Sequence, residues 1–140
     1  MKRIFIDTNV IIDVLMQRDG YLSSARVLAL AKNEDTTLFV SVLTMANLAY
    51  ILRKSLKGDS FYAEMRKLSC LVNVADTTND HFLSALDLQA KDFEDALQYY
   101  CALDNSCDVI ITRNKKDFTF SAIPVQTPEE YFDSEYEERG

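Results

Sequence analysis

The sequence holds a single histidine, His81, and three cysteines, Cys70, Cys101 and Cys107, with no CxxC pair among them. A zinc centre built on imidazole and thiolate therefore has little to draw on. An odd number of thiols without paired spacing also argues against a disulfide framework, and places the chain in a reducing compartment, the cytoplasm. Glycine and proline are scarce, three and two in 140 residues, and nothing resembles a flexible linker, a repeat or a low-complexity tract. No apolar run approaches the ~20 residues of a membrane span. The apolar stretch behind Lys2 and Arg3 ends after Ile4-Phe5-Ile6, short of the ~7–15 residues that a signal peptide needs. Membrane insertion and export are thus both set aside.

What is present is a compact, mildly acidic chain. The formal charge is −7, but residues 129–140 hold six acids (Glu129, Glu130, Asp133, Glu135, Glu137, Glu138) against one base, Arg139. Residues 1–128 carry 14 bases and 16 acids, so the charge does not exclude a nucleic-acid partner for that part. The expected organisation is one domain over 1–128 followed by an acidic C-terminal helix or solvated tail over 129–140. Basic clusters occur at Arg53, Lys54 and Lys57, at Arg66 and Lys67, and at Arg113, Lys115 and Lys116. Taken singly, each reads as a solvated face.

Hydrophobic patterning alternates between two kinds of segment. Ile4-Phe5-Ile6, Leu38-Phe39-Val40, Leu71-Val72-Asn73-Val74 and Val109-Ile110-Ile111 are short runs rich in β-branched residues, the composition of buried parallel strands. Ile123-Pro124-Val125 fits an edge strand, where proline is tolerated. Between them, Met45, Leu48, Ala49 and Leu52 form a helical stripe, as do Phe93, Ala96, Leu97 and Tyr100. Residues 22–32, 60–69 and 78–88 also read as helices, the last with Thr77 or Thr78 as N-cap. Strands alternating with helices predict an α/β fold, a three-layer sandwich around a central parallel β-sheet.

Ligands of such sheets bind beyond the carboxyl ends of the strands. Asp7-Thr8-Asn9 follows the first strand directly, and Thr112-Arg113-Asn114-Lys115-Lys116-Asp117 follows the fourth. Asp92 and Asp95 lie three apart and share a helix face. Asn47 lies off the apolar stripe of its helix. Each has a plain alternative: Asp7 and Asp92 suit helix N-caps, and Asp95 suits a first helical turn. Gathered into one cleft, these oxygen donors would instead suit a hard cation such as Mg²⁺ or Mn²⁺, which activates water and stabilises a transferring phosphoryl group.

Ile4-Phe5-Ile6-Asp7-Thr8-Asn9-Val10-Ile11, Asp92-Phe93-Glu94-Asp95-Ala96-Leu97 and Val109-Ile110-Ile111-Thr112-Arg113-Asn114-Lys115-Lys116-Asp117-Phe118 closely resemble the three signature segments of PIN domains. The resemblance runs in order from residue 3 to about residue 130. It implies a Mg²⁺- or Mn²⁺-dependent nuclease acting on RNA, in many relatives the toxin partner of a small antitoxin; assembly as a homodimer is left open. It implies Asp7 and Asp95 as central metal ligands, with Asp117, Asn114 and Asn47 completing the metal site, and Asn9, Asp92 and Thr112 in support. Arg113, Lys115 and Lys116, beside that rim, are the expected phosphate contacts. Two positions depart from the family pattern. The helix after the second strand usually supplies a glutamate where this chain has Asn47, and the Thr-Arg-Asp form of the last motif is here Thr112-Arg113-Asn114. An amide oxygen can coordinate a metal but brings no charge, so a PIN-like module that binds RNA or protein with little or no catalysis is the alternative. Asn9, where haloacid dehalogenase-like phosphatases place a second aspartate, argues against phosphoryl transfer through a covalent aspartate.

Overall fold

The computed structural model describes residues 1–139. Five parallel strands form one sheet in the order β3-β2-β1-β4-β5: β1 Lys2–Ile6, β2 Thr36–Ser41, β3 Asn73–Ala75, β4 Val109–Ile111 and β5 Val125–Gln126. Ile4 and Ile6 pack into one face of the core with Leu38, Val40, Val109 and Ile111. Phe5, Phe39 and Ile110 pack into the other. The period-2 alternation within each apolar run is what lets one sheet bury both faces.

The first face is covered by α1 (Thr8–Met16), α2 (Tyr21–Ala29), α3 (Val42–Ile51) and α4 (Asp59–Ser69), through Val10, Ile11, Val27, Leu48, Leu52 and Leu68. The second is covered by α6 (Phe93–Asp104), through Tyr99, Cys101 and Ala102, with α5 (Asn79–Leu88) against it. The three-layer α/β sandwich expected from the sequence is therefore present. Thr78 caps α5 in a capping box, accepting from the His81 amide while His81 Nδ1 accepts from the Thr78 amide. Among the described residues no helix is long and apolar enough to cross a membrane.

Two expected boundaries move, each for a local reason. Leu71 and Val72 stay outside β3 because their amides bond the Leu68 carbonyl and close the end of α4. β5 starts only at Val125: proline 124 has no N–H to give and takes part through its carbonyl, which accepts from the Ile110 amide at 2.9 Å. The acidic segment, expected as a helix or a solvated tail, begins as a docked helix, α7 (Pro128–Arg139). Thr127 and Glu130 cap it reciprocally, and Tyr131 is buried in the first core. Phe132 lies under the Arg26 guanidinium, 4.0 Å from ring centroid to carbon.

Candidate active site

β1 and β4 are adjacent and in register, Ile6 opposite Ile111, so the residues that follow them, Asp7 and Thr112, meet at the carboxyl edge of the sheet. The Asp7 amide continues the ladder to the Ile111 carbonyl, and Thr112 Oγ1 donates to Asp7 Oδ2 at 2.8 Å. Asp7 Oδ1 accepts from the Thr8 amide at 2.8 Å, which makes it the N-cap of α1, and from Gln98 Nε2 at 3.1 Å. Asp7 is 3% exposed. Burial pushes its carboxyl above the ordinary carboxylate range, against the pull of the Thr112, Gln98 and Thr8 donors and with a smaller push from Asp117.

α6 brings the second group. Asp92 caps it by accepting from the Asp95 amide at 3.1 Å, and the first turn then directs Asp95 to the same cleft. Asp95 is 9% exposed, and its carboxyl is pushed up to about 8. Burial is the main cause, followed by the negative charges of Asp7, Asp92 and Asp117 and a hydrogen bond with Asp117. Asp117 reaches in from the 3₁₀ turn Lys115–Phe118, steadied by Asn114 Nδ2 at 2.7 Å from its Oδ2.

These groups share a cleft of about 290 Å³. Asp7, Asn9, Asn47, Asp92, Asp95 and Asp117 all line it, contributed by α1, α3, α6 and the turn after β4. Thr112 stands behind Asp7, and Asn114 acts on Asp117 from the exposed side. Asn47 is half-buried and donates from Nδ2 to Glu94 Oε2 at 3.3 Å. A larger groove of about 1110 Å³ at the opposite end of the sheet, against Lys2, Thr36 and Phe132, gathers mixed charge and no comparable set of carboxylates.

The expected phosphate contacts are not all placed to serve the cleft. Arg113 Nε bonds Asp13 Oδ2 at 2.7 Å, its Nη1 holds both oxygens of Glu129, and its Nη2 reaches the Gly20 carbonyl and Ser24 Oγ. Its charge is spent joining α1, α2 and α7. Gly20 has φ +83°, a conformation strained for a side chain, and a Cβ there would lie in tight contact with the guanidinium at 3.0 Å. Lys115 pairs with Glu130 at 3.0 Å. Lys116 is exposed and does not line the cleft.

The sequence reading also missed residues. Gln98 is buried beside Asp7, and Thr8 and Thr44 join hydroxyls at 2.9 Å, with Gln98 Oε1 3.5 Å from Thr44. Gln98 follows Asp95 by three on one helix face, and that spacing was the available signal.

Among the described residues no three acidic, histidine or cysteine side chains are gathered into a ready-made metal-binding group. In kind, though, the donors fit a hard divalent cation. All are oxygens, and the charges that raise the Asp95 carboxyl are the ones a cation would offset.

A sequence model of the PIN domain matches residues 3–116, and the chain belongs to the PIN-domain family. As a class these are nucleases that generally depend on a divalent metal. Among solved structures, VapBC-1 from nontypeable Haemophilus influenzae is similar with a TM-score of 0.71 at 22% identity, over 91% of this chain and 98% of that one. A toxin–antitoxin complex from Klebsiella pneumoniae gives 0.67 at 25% identity, over 89% and 96%. Mycobacterium tuberculosis VapC20, described as a sarcin-ricin-loop-cleaving toxin, gives 0.60 at 17% identity, over 76% and 86%. No curated protein matches the chain.

Proposed function

We propose that this protein is a Mg²⁺- or Mn²⁺-dependent endoribonuclease, working in the cytoplasm as the toxin of a toxin–antitoxin pair. The observation that carries the reading is the convergence of Asp7, Asp95 and Asp117, from three separate elements, on one cleft where the Asp95 carboxyl is pushed up to about 8. Carboxylates crowded in this way destabilise one another unless a proton or a cation intervenes. A bound divalent ion supplies an activated water and offsets charge on the phosphoryl group. Asp7, Asp95 and Asp117 would hold it. Thr112, Gln98 and the Thr8 amide fix the Asp7 carboxylate, and Asn114 fixes Asp117. Asn9, Asp92 and Asn47 complete the wall. The resemblance to a toxin–antitoxin complex from Klebsiella pneumoniae supports the biological role.

Purified protein incubated with a mixed RNA pool should cleave it with Mn²⁺ and not with a chelator. Asp7→Asn should cut at least about 100-fold more slowly. The neutral amides at Asn47 and Asn114 favour a second reading, a PIN domain that binds without cutting. RNA retained but left intact by the Mn²⁺-loaded protein would establish it.

The departure at position 47 can be tested directly. Asn47→Glu replaces a donor to Glu94 with a like charge, so the metal-free melting temperature should fall by about 2–4 °C. The added carboxylate should raise Mn²⁺ affinity several-fold in calorimetric titration. Unaltered affinity in a well-folded variant removes this position from the metal site.

A further inference from the structure

RNA cannot enter an acidic cleft unless cations line the approach. On the β4 side Arg113 is held by Asp13 and Glu129 and Lys115 is paired with Glu130, which leaves only the exposed Lys116, itself outside the cleft lining, among the cations of that loop. The opposite wall differs. Tyr50, near the end of α3, lines the same cleft as Asp7 and Asp95 and is 67% exposed. The Arg53 guanidinium stacks on its ring, 3.9 Å from the centroid, and Arg53 Nη1 donates to the Tyr50 carbonyl at 2.5 Å. Lys54 and Lys57 follow on the exposed turn before α4. Among the described residues, no carboxylate is ion-paired with Arg53, Lys54 or Lys57.

An exposed tyrosine stacked with arginine adds little to a core. At the mouth of a cleft it presents a flat π surface with a fixed positive charge, the combination that holds unpaired nucleobases. We propose that Tyr50 and Arg53 form a stacking platform for an unpaired base of single-stranded RNA, with Lys54 and Lys57 taking the adjacent phosphates. Bases in a duplex remain stacked on their neighbours and cannot reach such a platform, so its contribution is read with unpaired RNA. The inference rests on the ribonuclease reading above.

The test is fluorescence anisotropy with a short labelled RNA, single-stranded or annealed to its complement, in chelator and again with Ca²⁺. Wild-type protein should prefer the single strand. Tyr50→Ala should weaken binding about tenfold or more, while Tyr50→Phe, which keeps the ring, stays within about twofold. The double variant Lys54→Ala, Lys57→Ala should flatten the log affinity against log salt slope by about 1.4. All these side chains are exposed, and unchanged melting curves confirm that the variants are folded. If wild-type protein binds the single strand and folded Tyr50→Ala binds it equally well, the platform is overturned and the ribonuclease reading stands. Equal wild-type affinity for duplex and single strand also overturns the platform. Wild-type binding to neither RNA, in chelator or Ca²⁺, overturns the RNA reading and the platform with it. If Tyr50→Ala loses a co-purifying protein while keeping RNA, the face is a protein contact and the proposal fails.

Discussion

Arg113→Ala should lower the melting temperature by about 10 °C, from a loss of roughly 2–4 kcal/mol. The arms of this guanidinium are unequal. Glu129 is about half exposed, and its ion pair contributes at most about 1 kcal/mol. The Asp13 arm decides the outcome, because the Asp13 side chain is only 7% exposed and, among the described residues, Arg113 is the one cation ion-paired with it. Without it, a buried carboxylate is left with Ser24 Oγ at 3.4 Å, and the Gly20 carbonyl and Ser24 lose a donor. Arg113→Lys should recover little, since a single ammonium cannot span Asp13, Glu129 and Gly20 at once. Glu129→Gln should cost far less than Arg113→Ala. If Arg113→Ala melts within about 2 °C of wild type, the clamp is unimportant and the arginine is free for RNA, as its place in the motif first suggested.

The direction that Arg113 takes, away from the cleft and onto Asp13 and Glu129, has a simple geometric origin. Thr112 continues the extended chain past β4, its amide bonded to the Gln126 carbonyl, and successive side chains on an extended chain point to opposite faces. Thr112 turns toward Asp7, so Arg113 must turn away from it. A motif treated as a run of letters hides that alternation. The strands and their layer were legible because Ile4-Phe5-Ile6 and Val109-Ile110-Ile111 must bury both faces, which only a covered parallel sheet allows. The carboxylates were legible by position at strand and helix ends. Their two competing readings proved compatible for Asp7, which caps α1 and lines the cleft at once, and for Asp92 on α6. Gln98 was signalled only by its spacing from Asp95, and Thr44 not at all, because a polar residue inside a helical segment gains meaning only when its partner arrives from a distant element. At α7 the acidic composition left helix and tail both open, and the reciprocal cap of Thr127 and Glu130 with the buried Tyr131 is what docks the helix start.

The second large effect is on the pH dependence of the cleft. Metal-free protein should lose stability as pH rises from about 5 to 8, and Asp95→Asn should remove most of that loss. The Asp95 carboxyl is pushed up to about 8 in the folded protein, chiefly by burial and then by Asp7, Asp92 and Asp117. In the unfolded chain it titrates near ~4. Between those values the folded state keeps a proton that the unfolded state has released, so unfolding becomes easier with each rise in pH. The loss begins near pH 4 and levels off above about 8. Asp7 contributes in the same direction, since burial raises its carboxyl too. Because water still reaches the cleft, the total is about 2–3 kcal/mol rather than the full value of the shift. A neutral amide at position 95 mimics the protonated acid, so the variant should match wild type near pH 5 and melt higher near pH 8. The same proton competes with a cation: below pH 8, apparent Mn²⁺ affinity should fall by up to about tenfold per pH unit, with proton release on binding. Calorimetry in two buffers of different ionisation enthalpy measures that release. A wild-type melting temperature that stays flat from pH 5 to 8 would sink the coupled-carboxylate account. Mn²⁺ binding without proton uptake by the buffer at pH 7 would show that the cation does not displace the Asp95 proton.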